Sequence, residues 1–256
     1  MRKEPFGAGD FVHVFNRGNR KMNIVRDEND RWRFLTCLRF YNDKTPAQYL
    51  IRSYFMFLKS DNNLVRSNLT RSGIFEWPDN ENEQRPIVSI IAYYLADNHY
   101  HLLLREIIPG GITEFMRKLG GGFTMYNNDK YGESGKVFQG SYHARTINTS
   151  EYLQYVDAYI QVLNALERLD NPLTAQNKPN LDMVIDNPFS GLGETLGYRN
   201  FEILDREIAQ SEFSLPKTKE EYEKLMESVM AKGGFKKVLG KIAIEKRQEG
   251  EHRMIW

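Results

Sequence analysis

At 256 residues, 41% of them hydrophobic and 27% charged, the chain has the composition of a globular protein able to bury a substantial core. Its net charge of +1 excludes a globally basic nucleic-acid binder, so any such contact must come from local basic surface. The single Cys37 excludes an internal disulfide and a cysteine-rich zinc cluster, and with no membrane-length apolar run and no hydrophobic segment behind Met1–Pro5 the expectation is a cytoplasmic protein without membrane contact.

In chain order, Phe11–Phe15 reads as a short β-branched and aromatic strand between Gly9-Asp10 and Asn16-Arg17-Gly18. A helix is expected from about Asp27, with Asp27, Glu28 and Asp30 at its N-terminus and Phe34, Cys37, Leu38 and Tyr41 on one apolar face. Between Asp43 and Arg85 a strand is expected around Tyr54–Leu58, and Asp79–Glu83 reads as an exposed loop. Ile87–Leu95 is nearly continuously apolar, and the Ala96-Asp97-Asn98 connection into His99–Arg105 predicts an antiparallel hairpin. After Pro109-Gly110-Gly111 a helix carries Phe115, Met116 and Leu119; Gly120-Gly121-Gly122 should break or bend it before it resumes through Phe123–Tyr131. Gly132–Gly135 is a turn, and Val137–Arg145 reads as a further strand. Thr149 or Ser150 can cap a helix whose Tyr152, Tyr155, Val156, Tyr159, Ile160 and Leu163 form a stripe read as core.

Loop composition after Glu167 divides the chain into a domain over residues 1–167 and a mainly helical extension over 168–256. In the extension, Thr218-Lys219-Glu220-Glu221 fits a capping box and Gly233-Gly234 a C-terminal stop, while Lys236, Lys237, Lys241, Lys246 and Arg247 make the tail basic. The order of elements predicts an α+β fold, with helices packed on an antiparallel sheet.

His99-Tyr100-His101 carries the chemistry. On a strand, residues two apart project from one face and the residue between them from the other. Tyr100 should therefore enter the core while His99 and His101 share one divalent ion through ring nitrogens. An isolated His-x-His is more often a pair of hydrogen-bonded side chains, and what lifts this one is its company. The first strand ends in His13-Val14-Phe15-Asn16-Arg17-Gly18, and Tyr126 and Tyr131 lie on the helix leading to Ser134-Gly135-Lys136-Val137-Phe138-Gln139-Gly140.

These three ordered motifs resemble the single-tyrosine HUH transposases of bacterial insertion sequences, and most closely the REP-associated tyrosine transposases, over roughly residues 10–165. The resemblance implies a ferredoxin-like or RRM-like HUH fold. It further implies metal-dependent single-stranded DNA cleavage and strand transfer through a 5′-phosphotyrosine, acting at hairpins formed by palindromes. Carried over residue by residue, Tyr126 is the nucleophile, with Tyr131 its rival. His99 and His101 hold Mg²⁺ or Mn²⁺, with Asp129 standing in as third ligand because Lys130 occupies the usual position and an ammonium cannot ligate a cation. His13 is an alternative ligand. Arg17, Arg20, Lys21, Arg117, Lys118 and Lys130 are the DNA-contacting candidates, and Arg26 belongs to the first of these clusters. Gly140-Ser141-Tyr142-His143 replaces two basic residues of the relatives' Gly-Arg-Phe-Lys. A homodimer and a nucleoid-associated location are further implications. Two other readings stand beside this one: a hairpin-binding protein that has lost cleavage through Lys130, and a rolling-circle initiator or relaxase, which shares the His-hydrophobic-His strand.

Overall fold

The computed structural model describes residues 6–44, 85–169 and 178–231. The strand expected at Tyr54–Leu58, the loop at Asp79–Glu83, the Gly233-Gly234 stop and the basic tail lie outside them.

Strands β1 (Phe11–Arg17), β2 (Val88–Leu95), β3 (His99–Glu106) and β4 (His143–Ile147) form one antiparallel sheet in the order β2-β3-β1-β4. Helix α1 (Glu28–Tyr41) connects β1 to β2 and α2 (Gly111–Tyr131) connects β3 to β4, giving the βαββαβ order of a ferredoxin-like fold. β-Branched and aromatic residues fill β1 and β2, and the three-residue hairpin at 96–98 is closed by a bond from the Ala96 amide to the His99 carbonyl. Asp27 caps α1 through a bond accepted from the Asp30 amide, completed as a capping box.

Alternation along the strands separates two cores. On one face Val12, Val14, Tyr100, Leu102 and Leu104 pack against Phe34 and Leu38 of α1 and Phe115, Leu119 and Phe123 of α2. Tyr100 is 1% exposed there, as expected of the residue between the two histidines. On the other face Phe11, Ile91 and Leu103 pack against helix α3 (Ser150–Ala158), its continuation, and the C-terminal segment. Thr149 caps α3 by accepting from the Tyr152 amide.

Two expectations along this stretch are corrected. α2 runs unbroken for 21 residues through Gly120–Gly122. Its apolar face holds it down, and Gly122 is where the Tyr41 ring of α1 takes the space a side chain would need. The strand expected from Val137 begins only at His143. Residues 137–142 make a single bridge, Gly18 to Phe138, and cross the end of β1.

Beyond Glu167 the chain builds its core jointly with the sheet. Helices α4 (Leu181–Asp186), α5 (Leu192–Thr195), α6 (Glu207–Phe213) and α7 (Lys219–Ala231) contribute Leu181, Val184, Leu192, Ala209, Tyr222 and Met226 to the same cluster as Ile91 and Leu103. Phe189 and Gly191 bond the backbone of Leu95 and Tyr93 and so cover the outer edge of β2. The capping box expected at Thr218 is present, with the Glu221 amide donating to Thr218 Oγ1 and the Thr218 amide to Glu221 Oε2. Among the described residues no helix is long and apolar enough to cross a membrane.

Candidate functional site

β3 carries His99 and His101 on the face opposite Tyr100, with ring centroids 5.2 Å apart. The register sets Arg17 beside His99, Phe15 beside His101 and His13 beside Leu103, all on that same face. Each imidazole of the pair is oriented through Nδ1: His99 Nδ1 lies 2.8 Å from Asn98 Oδ1, and His101 Nδ1 lies 2.9 Å from His13 Nε2. An amide oxygen only accepts, so His99 carries its proton on Nδ1 and its lone pair on Nε2. His13 is 1% exposed. Burial, reinforced by the Arg145 guanidinium, pushes its pKa down to about 3, so it is a neutral ring at physiological pH.

Beside Phe15, whose ring stacks on that of His101, the pair also meets Tyr159. Its ring lies 5.5 Å from that of His101 at 85° and 6.1 Å from that of His13 at 74°. Tyr159 opens a π-helical segment (Tyr159–Leu163) before the chain returns to α-helix at Asn164–Leu166. The widened turn leaves carbonyls to be satisfied from elsewhere. The Tyr159 carbonyl accepts from the backbone amide of Asn164 and from its Nδ2, and Ser190 Oγ donates to the Gln161 carbonyl at 2.7 Å. A fully buried network backs the segment. Gln161 Nε2 donates to Asp157 Oδ1 and to Tyr222 Oη, both at 2.8 Å, and Arg206 Nη1 donates to Asp157 Oδ1 at 2.7 Å.

The structure does not bring Tyr126 to the histidines. α2 packs on the Tyr100 face of the sheet, and Tyr126 belongs to that core's edge. Its hydroxyl donates to Asp30 Oδ1 at 2.8 Å, and burial together with that carboxylate raises its pKa well beyond the ordinary phenol range. Tyr131, the rival, donates to Asp30 Oδ2 at 2.6 Å, and Lys130 bridges Asp27 and Asp30, each at 2.6 Å. Asp30 is fully buried, and these three groups are its ligands from α2: they bolt the C-terminal turn of α2 to the start of α1. Asp129 is exposed on the same helix, on the wrong side of the sheet to complete a site with His99 and His101.

Of the basic candidates, Lys118 is 9% exposed and donates to the Asp43 carbonyl at 2.6 Å, which makes it a structural cross-link. Arg117 is exposed but paired with Glu114, and Arg26 is paired with Glu133 at 2.6 Å. Arg20 and Lys21 are exposed on the turn after β1. Only Arg17 shares the face of the histidines, by its pairing with His99. Among the described residues no group of three His, Cys, Asp or Glu side chains is placed to hold a metal ion. Sequence reasoning took Tyr159 for core. The available signal was Tyr159-Ile160-Gln161-Val162-Leu163-Asn164, where polar Gln161 and Asn164 interrupt an apolar stripe.

Residues 80–162 match the family model described as "Transposase IS200 like". Over that segment the chain is similar to the IS200-like transposases. The matched segment holds β2, the His pair, α2, β4 and Tyr159. Among solved structures the chain is similar to a REP-associated tyrosine transposase bound to a REP hairpin, at 14% identity and a TM-score of 0.44 over 77% of this chain and 84% of that one. No curated protein matches it.

Proposed function

We propose that the chain cleaves and rejoins single-stranded DNA at hairpin-forming sequences, with Tyr159 in place of Tyr126 as the nucleophile. The observation that carries this reading is the Tyr159 ring packed on His101 at the face where His99 and His101 converge. The phenol oxygen forms a bond to phosphorus as the bond to the 3′ oxygen breaks, giving a 5′-phosphotyrosine and a 3′-hydroxyl. The proton lost by the phenol balances the one gained by the 3′ oxygen. Because the link conserves the phosphodiester, a second 3′-hydroxyl can reverse the step, which joins strands without ATP. Tyr159 and the His pair lie in one chain, so the reading requires no second copy.

The donor set fits a divalent cation. His99, with its proton on Nδ1, offers its Nε2 lone pair, His101 offers the same when its Nδ1 donates to His13 Nε2, and Asn164, one turn past Tyr159 with Nδ2 held by the Tyr159 carbonyl, offers an amide oxygen as the third donor in place of Asp129. Mg²⁺ or Mn²⁺ bound there would neutralise charge on the phosphate oxygens during attack. Arg17, on the same face, is placed to position a phosphate. The ground for a binding protein that has lost cleavage lapses, because Lys130 belongs to the Asp27–Asp30 cluster across the sheet.

The test is covalent capture: a labelled single-stranded hairpin with flanks, Mn²⁺, and a denaturing gel. Wild type and Tyr126→Phe are expected to give a protein–DNA adduct and Tyr159→Phe none. An adduct that survives Tyr159→Phe and vanishes in Tyr126→Phe overturns the assignment.

A further inference from the structure

One row of side chains crosses all four strands on the histidine face. Tyr94 of β2 pairs with His101 of β3, His101 with Phe15 of β1, and Phe15 with His143 of β4. From His101 outward the rings are stacked: His101 on Phe15 at 5.6 Å and 24°, Phe15 on His143 at 5.1 Å and 19°. The inner end of the row is closed, because Tyr94 is 3% exposed and Tyr159 stands edge-on over His101. Among the described residues the outer end is open: β4 is the edge strand of the sheet, and His143 is exposed while Phe15 behind it is buried.

We propose that the outer face of the His143 ring is a stacking site for a nucleobase of single-stranded DNA, two rungs from His101 and adjacent to the phosphate that Tyr159 attacks. The inference rests on the DNA reading above and adds a residue to it. An exposed imidazole backed by a ring at 5.1 Å is held flat, so a base meets a surface whose rotamer freedom is already spent. Aromatic side chains on a sheet face bind unstacked bases this way in single-strand-binding folds, and every base has a π-face, so the contact tolerates sequence. The row is flanked on the same face by partly exposed Arg17 of β1 and Arg145 of β4. These cations suit the phosphates on either side of a stacked nucleotide. A base-paired duplex cannot offer a free base face to an edge strand, so the site selects single strands.

The experiment titrates the full chain, without divalent metal, into oligodeoxythymidylate carrying one 2-aminopurine, with a duplex as control. Wild type is expected to bind the single strand and change the probe's fluorescence, His143→Ala to lose roughly five- to a hundredfold in affinity together with the fluorescence change, and His143→Phe to restore both. Thermal unfolding of the variants checks the sheet. Binding and fluorescence unchanged in His143→Ala overturn the stacking site alone. So does rescue by His143→Lys but not His143→Phe, since that contact is one of charge. Wild type that binds no single-stranded DNA overturns the DNA reading and this inference together.

Discussion

Removing the Arg206 guanidinium tests whether the C-terminal segment holds the Tyr159 helix in place. Arg206 is 7% exposed and Asp157 is fully buried. They meet through two bonds, Nη1 to Oδ1 at 2.7 Å and Nη2 to Oδ2 at 3.3 Å, and Nη1 also donates to the Ile91 carbonyl of β2 at 2.7 Å. Burial favours the neutral form of Arg206, but Asp157 and Tyr222 outweigh it and raise its pKa. In Arg206→Met the carboxylate keeps only the Tyr222 hydroxyl, at 2.6 Å, and Gln161 Nε2, at 2.8 Å, as donors. A buried charge stripped of its counter-charge costs about 3–5 kcal/mol, and with a urea slope of roughly 2–3 kcal/mol per molar the midpoint should fall by about 1–2.5 M. Adding Asp157→Leu removes the stranded charge and should recover most of the loss. Equilibrium urea unfolding of wild type, both single variants and the double variant reads this directly. A loss below about 1 kcal/mol in Arg206→Met, or a double variant no more stable than that single one, refutes the argument that this pair is closed off from water. Asp157 and Gln161 flank Tyr159 in sequence, so the same variant should weaken adduct formation more than it weakens DNA binding.

Asp30 accepts from Lys130, Tyr131, Tyr126 and the Arg26 amide. Burial works against its ionised form, but these bonds win and hold its pKa below the ordinary carboxylate value. Its contribution is therefore complete above the unfolded value of about pH 4 and is lost as pH falls through the folded one. Asp30→Asn should destabilise the protein at neutral pH, with the gap to wild type narrowing in chemical denaturation below about pH 4; a gap independent of pH refutes this. Tyr126→Phe should cost about 1 kcal/mol of stability, measured by the same unfolding, while sparing adduct formation. Gly122→Ala should destabilise by about 1–3 kcal/mol because its new methyl meets the Tyr41 ring, whereas Gly121→Ala, which meets open space, should stabilise by up to about 1 kcal/mol; a thermal melt that ranks them the other way refutes the account of the unbroken helix. His13→Leu should lower Mn²⁺ affinity about 10–100-fold in an EPR titration, because His101 loses the partner at its Nδ1; unchanged affinity refutes that role.

Most of the sheet was legible because strands announce themselves locally. The apolar run ending at Leu95, the three-residue hairpin and the helix start at the acidic Asp27-Glu28 each depend on neighbours in sequence, and all three are found where they were expected. The unbroken α2 was not legible, since the reason it tolerates Gly122 is a tyrosine from α1. The roles of Lys118 and Lys130 were hidden for the same cause. A lysine reads as surface charge until the carbonyl of Asp43 or the carboxylate of Asp30 is known to lie beside it. The π-helical turn at Tyr159 draws on Ser190 for its Gln161 carbonyl, a partner 29 residues further on.

The placement of the proposed nucleophile nevertheless follows from topology. β1 and β2 run parallel on either side of β3, and β3 and β4 run parallel on either side of β1. Each pair is joined by a helix, and crossovers of this kind are right-handed in nearly all proteins. Two right-handed crossovers in a split βαβ arrangement put α1 and α2 on one face. That face must be the one Tyr100 enters, because the apolar sides of both helices need the apolar side of β3. His99 and His101 are thereby committed to the other face, away from α2 and its Tyr126. Among the described residues, the segment after β4 is the one that returns across the second face and lays a helical tyrosine against this pair. Tyr159 lies in that segment, and the buried Asp157–Arg206–Tyr222 network packs the helix that bears it from behind.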